Sequence, residues 1–144
     1  MKFHLIIDKD KQPSVTVVCD RVTYAVQKIE EICKETDENI LYGYTVDEIT
    51  PLALPDIACF FTRENKLFAC VGDKEYTVKL RVKQVLERVD DCFVKINQGC
   101  IVNVNQIQTF KVSIGGGLKV VLKNGYTDYV ARREVKNIKR RLGL

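Results

Sequence analysis

Residues 93–103 read F-V-K-I-N-Q-G-C-I-V-N, a strand-forming run followed by a polar loop. The first four residues are mostly aromatic or β-branched, which predicts a strand at 93–96. Asn97, Gln98 and Gly99 then interrupt the apolar run in the way that loop residues do. The segment therefore predicts a polar loop at the end of a short strand.

Further short strands are predicted on both sides of this segment. They lie at residues 57–62, 66–71, 75–78, 107–113, 118–122 and 127–130. Turn residues separate them, and the clearest turn is Asn124-Gly125, a pair that is typical of two-residue hairpins. One helix is predicted at residues 81–89, where Val82 and Val85 stand at helical spacing. The second half of the chain is thus predicted to be mostly β.

The N-terminal part carries a smaller pattern of its own. Residues 2–7 and 14–19 predict two strands around a polar turn at 8–13. Asp20 is placed to cap a helix whose apolar residues recur at the helical period. Residues 40–45 predict a returning strand, which completes a small β-β-α-β unit.

Length and composition place the chain among globular proteins. It has 144 residues, of which 46% are hydrophobic and 29% charged, and this is enough for one ordinary domain with a smaller extension. We therefore predict an α+β protein. Its domains are an accessory β-β-α-β unit at 1–48, for dimerisation or regulation, and a mostly β domain at 49–144.

The charges are unevenly distributed along the chain. Residues 1–50 contain six Lys and Arg against ten Asp and Glu, whereas residues 51–144 contain seventeen against nine. The predicted closing helix, residues 132–142, has six basic residues, and only Glu134 opposes them. Basic residues at a helix C-terminus complement the helix dipole, but Arg132, Arg133 and Lys136 lie towards the opposite end. This pattern indicates a polyanionic partner.

Several other classes of protein are disfavoured. The longest uncharged stretch, residues 96–110, is interrupted by Asn and Gln and is shorter than the ~20 apolar residues of a membrane span. The N-terminus lacks the apolar core of a secretory signal, so a cytoplasmic protein is expected. The six cysteines form no C-x-x-C pair and His4 is the only histidine, so no metal or other cofactor is expected. Most cysteines are expected to be buried thiols, and any redox switch is expected at Cys100.

Three stretches of the second half carry a resemblance to a known family. They read I-A-C-F-F-T-R-E-N-K-L from Ile57, C-F-V-K-I-N-Q-G-C-I-V-N-V-N-Q-I from Cys92, and K-N-G-Y-T-D-Y-V-A-R-R-E-V-K-N-I from Lys123. In this order and spacing, residues 57–144 resemble the LytTR-type DNA-binding domain of bacterial transcription regulators. Three positions depart from the family pattern: Asn97 stands where His is usual, and Gly99 and Ala131 stand where Ser is usual.

The resemblance implies an elongated, mostly β fold that inserts loops, rather than a recognition helix, into successive major grooves of duplex DNA. Carried over position by position, it implies base contacts from Asn65, Gln98 and Arg133. Asn and Gln can pair with adenine and Arg with guanine, and each such pair is worth ~1–3 kcal/mol of discrimination. Contacts to the DNA backbone are expected from Arg63, Lys66, Lys95, Asn97, Arg132 and Lys136.

The resemblance further implies a sequence-specific regulator of transcription and not an enzyme. The N-terminal part is too short for a phosphate-accepting receiver, which needs the length of an ordinary domain, about 100–150 residues. The chain is similar to short stand-alone regulators of this family, which are often paired with a small membrane protein that restrains them. The accessory unit would either hold two copies together as a homodimer on DNA or receive that inhibitor, and the sequence leaves both open.

Two rival classes of function follow from the residues alone. A catalytic triad is nearly excluded, because the chain has one histidine and its only serines are Ser14 and Ser113. The remaining alternative is a non-enzymatic protein- or RNA-binding module with a nonspecific basic face. Because Phe60 and Phe61 are adjacent, one of them is expected to face outward, and single-strand RNA readers show exposed aromatic residues of this kind.

Overall fold

The computed structural model of the protein describes residues 2–8, 10–11, 14–38 and 40–144, without the side chains of 35–38. Contacts divide the chain into two compact units, Met1–Asp37 and Glu38–Leu144. In the described part of the chain, all ten strands and two of the three α-helices fall in the second unit.

The first unit differs from its prediction. Residues 2–7 and 14–19 form neither strand nor helix, so the two predicted strands are wrong, and the predicted turn at 8–13 lies partly outside the described residues. Its regular element is α1 (Tyr24–Glu38). This helix begins later than a cap at Asp20 would place it, because the Thr23 hydroxyl accepts a hydrogen bond from the N–H of Val26 at 3.4 Å.

The second unit is built from two antiparallel sheets. The main sheet contains seven strands: β1 (Ile40–Tyr44), β2 (Ile49–Ala53), β3 (Cys59–Arg63), β4 (Lys66–Val71), β5 (Lys74–Val78), β6 (Phe93–Asn97) and β7 (Cys100–Asn103). Their spatial order is β2-β1-β5-β4-β3-β7-β6. The smaller sheet contains β8 (Ile107–Val112), β9 (Leu118–Leu122) and β10 (Thr127–Val130), with β9 in the middle. The two helices of this unit are α2 (Val82–Arg88) and α3 (Arg132–Leu142).

Strand pairing differs from the prediction in two places. β1 does not return to the first unit, because it pairs with β2 along its whole length and with β5 at Tyr44 and Thr77. The stretch after Gln98 and Gly99, for which no strand is predicted, forms the strand β7, which lies between β3 and β6. The polar loop predicted there is therefore a tight two-residue turn.

The main sheet is buried on both faces. One face packs against the smaller sheet and α3, in a core that includes Phe61, Ile96 and Ile138. The other face packs against α2, in a core that includes Phe60 and Val85. Because side chains alternate between the two faces of a strand, Phe60 and Phe61 are both buried, at 0% and 7% exposure. The expectation that one of them faces outward is wrong.

The described helices are short and separated in the chain. α1, α2 and α3 have 15, 7 and 11 residues. None of the helices in the described residues is long and apolar enough to cross a bilayer. Strands intervene between each helix and the next, so the described chain contains no consecutive helix pair.

Candidate nucleic-acid interface

The β3–β4 turn presents Asn65 at the tip of a tight hairpin. Glu64 and Asn65 connect the two strands, and both have a left-handed backbone, with φ of 52° and 62°. Two successive left-handed residues are characteristic of the type I′ turn, whose twist matches that of the flanking strands. Both side chains are exposed, so the hairpin directs the predicted base-contacting residue into solvent.

The β6–β7 turn presents Gln98 and is held by Asn97. The Asn97 side-chain oxygen accepts the N–H of Gly99 at 2.9 Å, and its amide nitrogen donates to the Tyr129 carbonyl at 3.0 Å and to Asp128 at 3.2 Å. Asn97 is only 5% exposed, whereas Gln98 is exposed. This geometry argues against the DNA-backbone contact expected from Asn97, because both of its amide hydrogens are used inside the protein.

Asp128 anchors this turn to the smaller sheet. Its carboxylate accepts hydrogen bonds from Asn97 and, at 2.9 Å, from the Tyr126 hydroxyl. The Cys100 thiol in turn lies 3.9 Å from the Tyr126 oxygen. Burial raises the pKa of both Cys100 and Tyr126, and the negative charge of Asp128 also raises that of Cys100. Both groups therefore stay protonated near neutral pH.

The cysteines agree only partly with their expected burial. Cys59, Cys70 and Cys100 are buried, but Cys19 and Cys92 are exposed. Reactive cysteines are accessible thiolates, whereas Cys100 is 1% exposed and its pKa is raised by burial. The structure thus gives no support to the redox switch expected at Cys100.

The start of α3 lies beside the β6–β7 turn. The N–H of Ala131, which precedes the helix, donates to the Ile96 carbonyl at 2.8 Å. Ala131 has no side-chain cap, and Arg132 and Arg133 follow it as exposed residues of the first turn. At the other end, the Arg141 guanidinium donates to the carbonyls of Asp91 and Phe93. α3 is thereby fixed along β6 with its first turn next to Gln98.

Two backbone hydrogen bonds bring these three segments to one end of the fold. Thr62 N–H donates to Gly99 O at 2.8 Å, which joins β3 to the β6–β7 turn, and the Ala131 bond to Ile96 joins the start of α3 to β6. Asn65 lies three residues beyond Thr62, or about 10 Å along an extended chain. Asn65, Gln98 and Arg133 therefore lie at the same end of the unit, and we call these three residues, for which the sequence predicts base contacts, the reading row.

Four of the predicted backbone-contacting residues adjoin the reading row. Arg63 and Lys66 are directly opposed at the base of the β3–β4 turn. The Arg63 guanidinium is held over the Phe68 ring at 4.5 Å and bonded to Glu75 at 2.9 Å. Arg132 and Lys136 are exposed residues of α3. Because Arg63 is paired with Glu75, the charges left for a polyanion beside the row are those of Lys66, Arg132 and Lys136, which have no salt bridge within the described residues.

Lys95 is placed differently from the other predicted contacts. It is half-buried and directly opposes Ile101, on the α2-facing side of the sheet.

The positioning roles of Thr62, Asn97 and Asp128 had no sequence signal, because each depends on partners more than 30 residues away in the chain.

Comparisons with known proteins identify the family and the fold of the chain. The family model described as the LytTr DNA-binding domain matches residues 47–143. The chain is also similar to a solved structure, the LytTr DNA-binding domain of a putative methyl-accepting/DNA response regulator from Bacillus cereus. The two share 18% identity with a TM-score of 0.68, over 74% of this chain and 98% of that chain.

Full-length relatives are found among bacterial regulators. Uncharacterised HTH-type transcriptional regulators from Staphylococcus aureus strains MSSA476 and NCTC 8325 are each 25% identical over 146 residues. The match covers 100% of this chain and 99% of each relative. The similarity to these relatives therefore includes the N-terminal unit, which lies outside the family-model match.

Proposed function

The chain belongs to the LytTr DNA-binding domain family and is a DNA-binding transcription regulator, and from this premise we propose that it reads duplex sequence through the major groove with Asn65, Gln98 and Arg133. The observation that carries the proposal is the convergence of three segments on one end of the fold. These segments are distant in sequence, and each presents one exposed side chain suited to a base edge. No helix of the described chain has to enter the groove lengthwise.

The backbone contacts follow from the same arrangement. We assign phosphate contacts to Arg63, Lys66, Arg132 and Lys136, which adjoin the reading row. Such contacts fix the position of the protein on the duplex and make its affinity dependent on salt, but they carry no sequence information. Asn97 is not assigned a phosphate contact, because it positions the Gln98 turn. Lys95 is not assigned one either, because the reading row does not depend on its contacts. The protein acts in the cytoplasm and without catalysis.

The test is selection of bound fragments from random duplex DNA at ~150 mM salt, followed by titration of the best fragment. Arg133→Ala should lose about 5- to 150-fold in affinity for that fragment and relax the preference at one base position. Arg140→Ala is the matched control, because it removes the same charge from an exposed position two turns further along α3. Equal losses in both variants, with no enriched motif, would show a nonspecific basic surface instead.

The first unit is proposed to join two copies into a homodimer on paired DNA sites. Its described side chains include exposed apolar residues in the stretches 2–7 and 14–19, among them Phe3, Ile6, Ile7 and Val18. None of the described residues of this unit is buried, and so small a unit gains stability from association. Sedimentation of the full chain should give a dimer, and Ile6→Asp should shift it to monomer. A chain that sediments as a monomer on its own would favour the other proposed partner, a small membrane-protein inhibitor.

A further inference from the structure

The outer face of the smaller sheet carries two lysines directly opposite each other. Lys111 on β8 pairs with Lys119 on β9, and Lys119 pairs with Tyr129 on β10. Directly opposed residues project from the same face, with Cβ atoms about 5 Å apart. All three side chains are exposed. They form a row across the three strands, which we call the lysine row.

This pairing costs stability in the free protein. Like charges directly opposite each other on a sheet are destabilising. Asp128, the acidic residue next to Tyr129, does not offset them, because its carboxylate binds Asn97 and Tyr126 on the other face. Neither lysine has a salt bridge within the described residues. An arrangement of this kind is relieved when an anion binds between the two lysines.

The lysine row borders a cleft of about 500 Å³ that also reaches the first residue of α3. Lys111, Lys119 and Arg132 supply its positive charges, and no acidic side chain lines it. Apolar groups line much of the remainder, including Val112, Leu118 and the Tyr129 ring. The cleft thus combines three cations with a largely apolar remainder of its lining.

The cleft adjoins the reading row. Arg132, which lines it, directly precedes Arg133, and Ala131 at its border is bonded to Ile96 two residues before Gln98. The strand ends that carry Lys111 and Lys119 lie at the end of the smaller sheet from which α3 begins. The opposite end holds the β9–β10 turn, where Asn124 is bonded to Gly72 of the β4–β5 turn at 3.0 Å.

We propose that the cleft is a second DNA-backbone site, in which Lys111, Lys119 and Arg132 bind phosphates of the strand that borders the groove read by Arg133. This rests on the proposed function, because it takes the duplex as positioned by the reading row. A phosphodiester chain alternates charged phosphates with largely apolar sugars, which matches a cleft lined by both cations and apolar groups. The site would add affinity and fix the duplex on α3 without reading sequence.

The experiment compares the double variant K111Q/K119Q with the wild type on a selected fragment and on random duplex. Both affinities should fall by roughly tenfold at ~150 mM salt, with their ratio unchanged, and the negative slope of log affinity against log salt should become shallower by about 1.8. The free double variant should melt at the same or a higher temperature, because the opposed charges are gone.

The control is K74Q/K123Q, which removes the same charge from exposed positions at the opposite end of the fold. It should keep the salt slope of the wild type. If K111Q/K119Q also keeps that slope while the wild type still selects a motif, the cleft is not a backbone site although the proposed function stands. The backbone-site proposal would also be overturned if K111Q/K119Q lost the preference for the selected fragment over random duplex. A wild type that selects no motif contradicts the proposed function itself.

Discussion

At the scale of single residues, Asn97 illustrates how a buried polar side chain can position an exposed neighbour. A buried polar group is stable only when its hydrogen bonds are made. Asn97 makes three, to Gly99, Asp128 and Tyr129, and these hold the turn that presents Gln98. The side chain that fixes the turn and the exposed side chain that we propose as a base contact are therefore adjacent residues with different energetic roles.

We expect Asn97→Ala to lower the free energy of unfolding by about 1–3 kcal/mol, because it leaves buried partners without hydrogen bonds. Specific DNA binding should fall with it, since the turn loses its anchor. Gln98→Ala is the matched control: its melting temperature should equal that of the wild type, while affinity for the selected fragment falls about 5- to 150-fold. Urea titration and fluorescence anisotropy measure the two quantities. Unchanged stability in Asn97→Ala would contradict the positioning role.

At the scale of elements, α3 is well secured at its C-terminus and poorly capped at its N-terminus. Gly143 closes the helix in a left-handed conformation, with φ of 70°, and its N–H donates to Arg140 and Lys139. At the start, Ala131 offers no side-chain acceptor. Its backbone angles, φ −61° and ψ 141°, nevertheless suit the residue types that cap helices.

Ala131→Ser should therefore stabilise the protein by about 0.5–1 kcal/mol, because the serine hydroxyl can accept a hydrogen bond from the first helical turn. The gain is at the lower end of the usual range, since the N–H of Glu134 already donates to the Ala131 carbonyl at 2.8 Å. Ala131→Val, which has no hydroxyl, should bring no such gain. Thermal melting of both variants shows whether the gain requires the hydroxyl, and equal melting temperatures would refute capping as the cause.

At the scale of the whole molecule, the extent of the DNA-binding unit depends on where β1 belongs. Leu41 on β1 and Leu52 on β2 are directly paired, and they are 1% and 4% exposed. Both contribute to the core on the α2 face of the main sheet. β1 is thus part of the structural unit that carries the reading row, although it precedes the family-model match.

A fragment of residues 38–144 should accordingly unfold cooperatively with a midpoint close to that of the full chain's main transition. A fragment of residues 49–144 follows the boundary that the sequence predicts. Its free energy of unfolding should be lower by about 2–5 kcal/mol. It lacks Leu41 and uncovers Leu52. Urea unfolding followed by circular dichroism compares the two fragments, and equal midpoints would exclude β1 from the folding unit.

The sequence by itself determined what depends on near neighbours in the chain. The bounds of β4, β9, β10 and α3 agree with their predictions, because apolar periodicity and turn residues act within a few positions. Asn65, Gln98 and Arg133 could be singled out by a family resemblance, and all three prove exposed at one end of the fold. The excess of positive charge after residue 50 also needs no structure.

Only the tertiary structure decided what depends on distant partners. Whether 2–7, 14–19 and β7 are strands, and in which sheet the predicted strand β1 lies, depends on pairing that no local pattern encodes. The burial of both Phe60 and Phe61 required cores on both faces of one sheet. The roles of Asn97 and Lys95, and the opposed lysines 111 and 119, likewise arise from register between separate strands. The physical reason is the same in each case: backbone hydrogen bonds and burial join residues that the chain holds far apart.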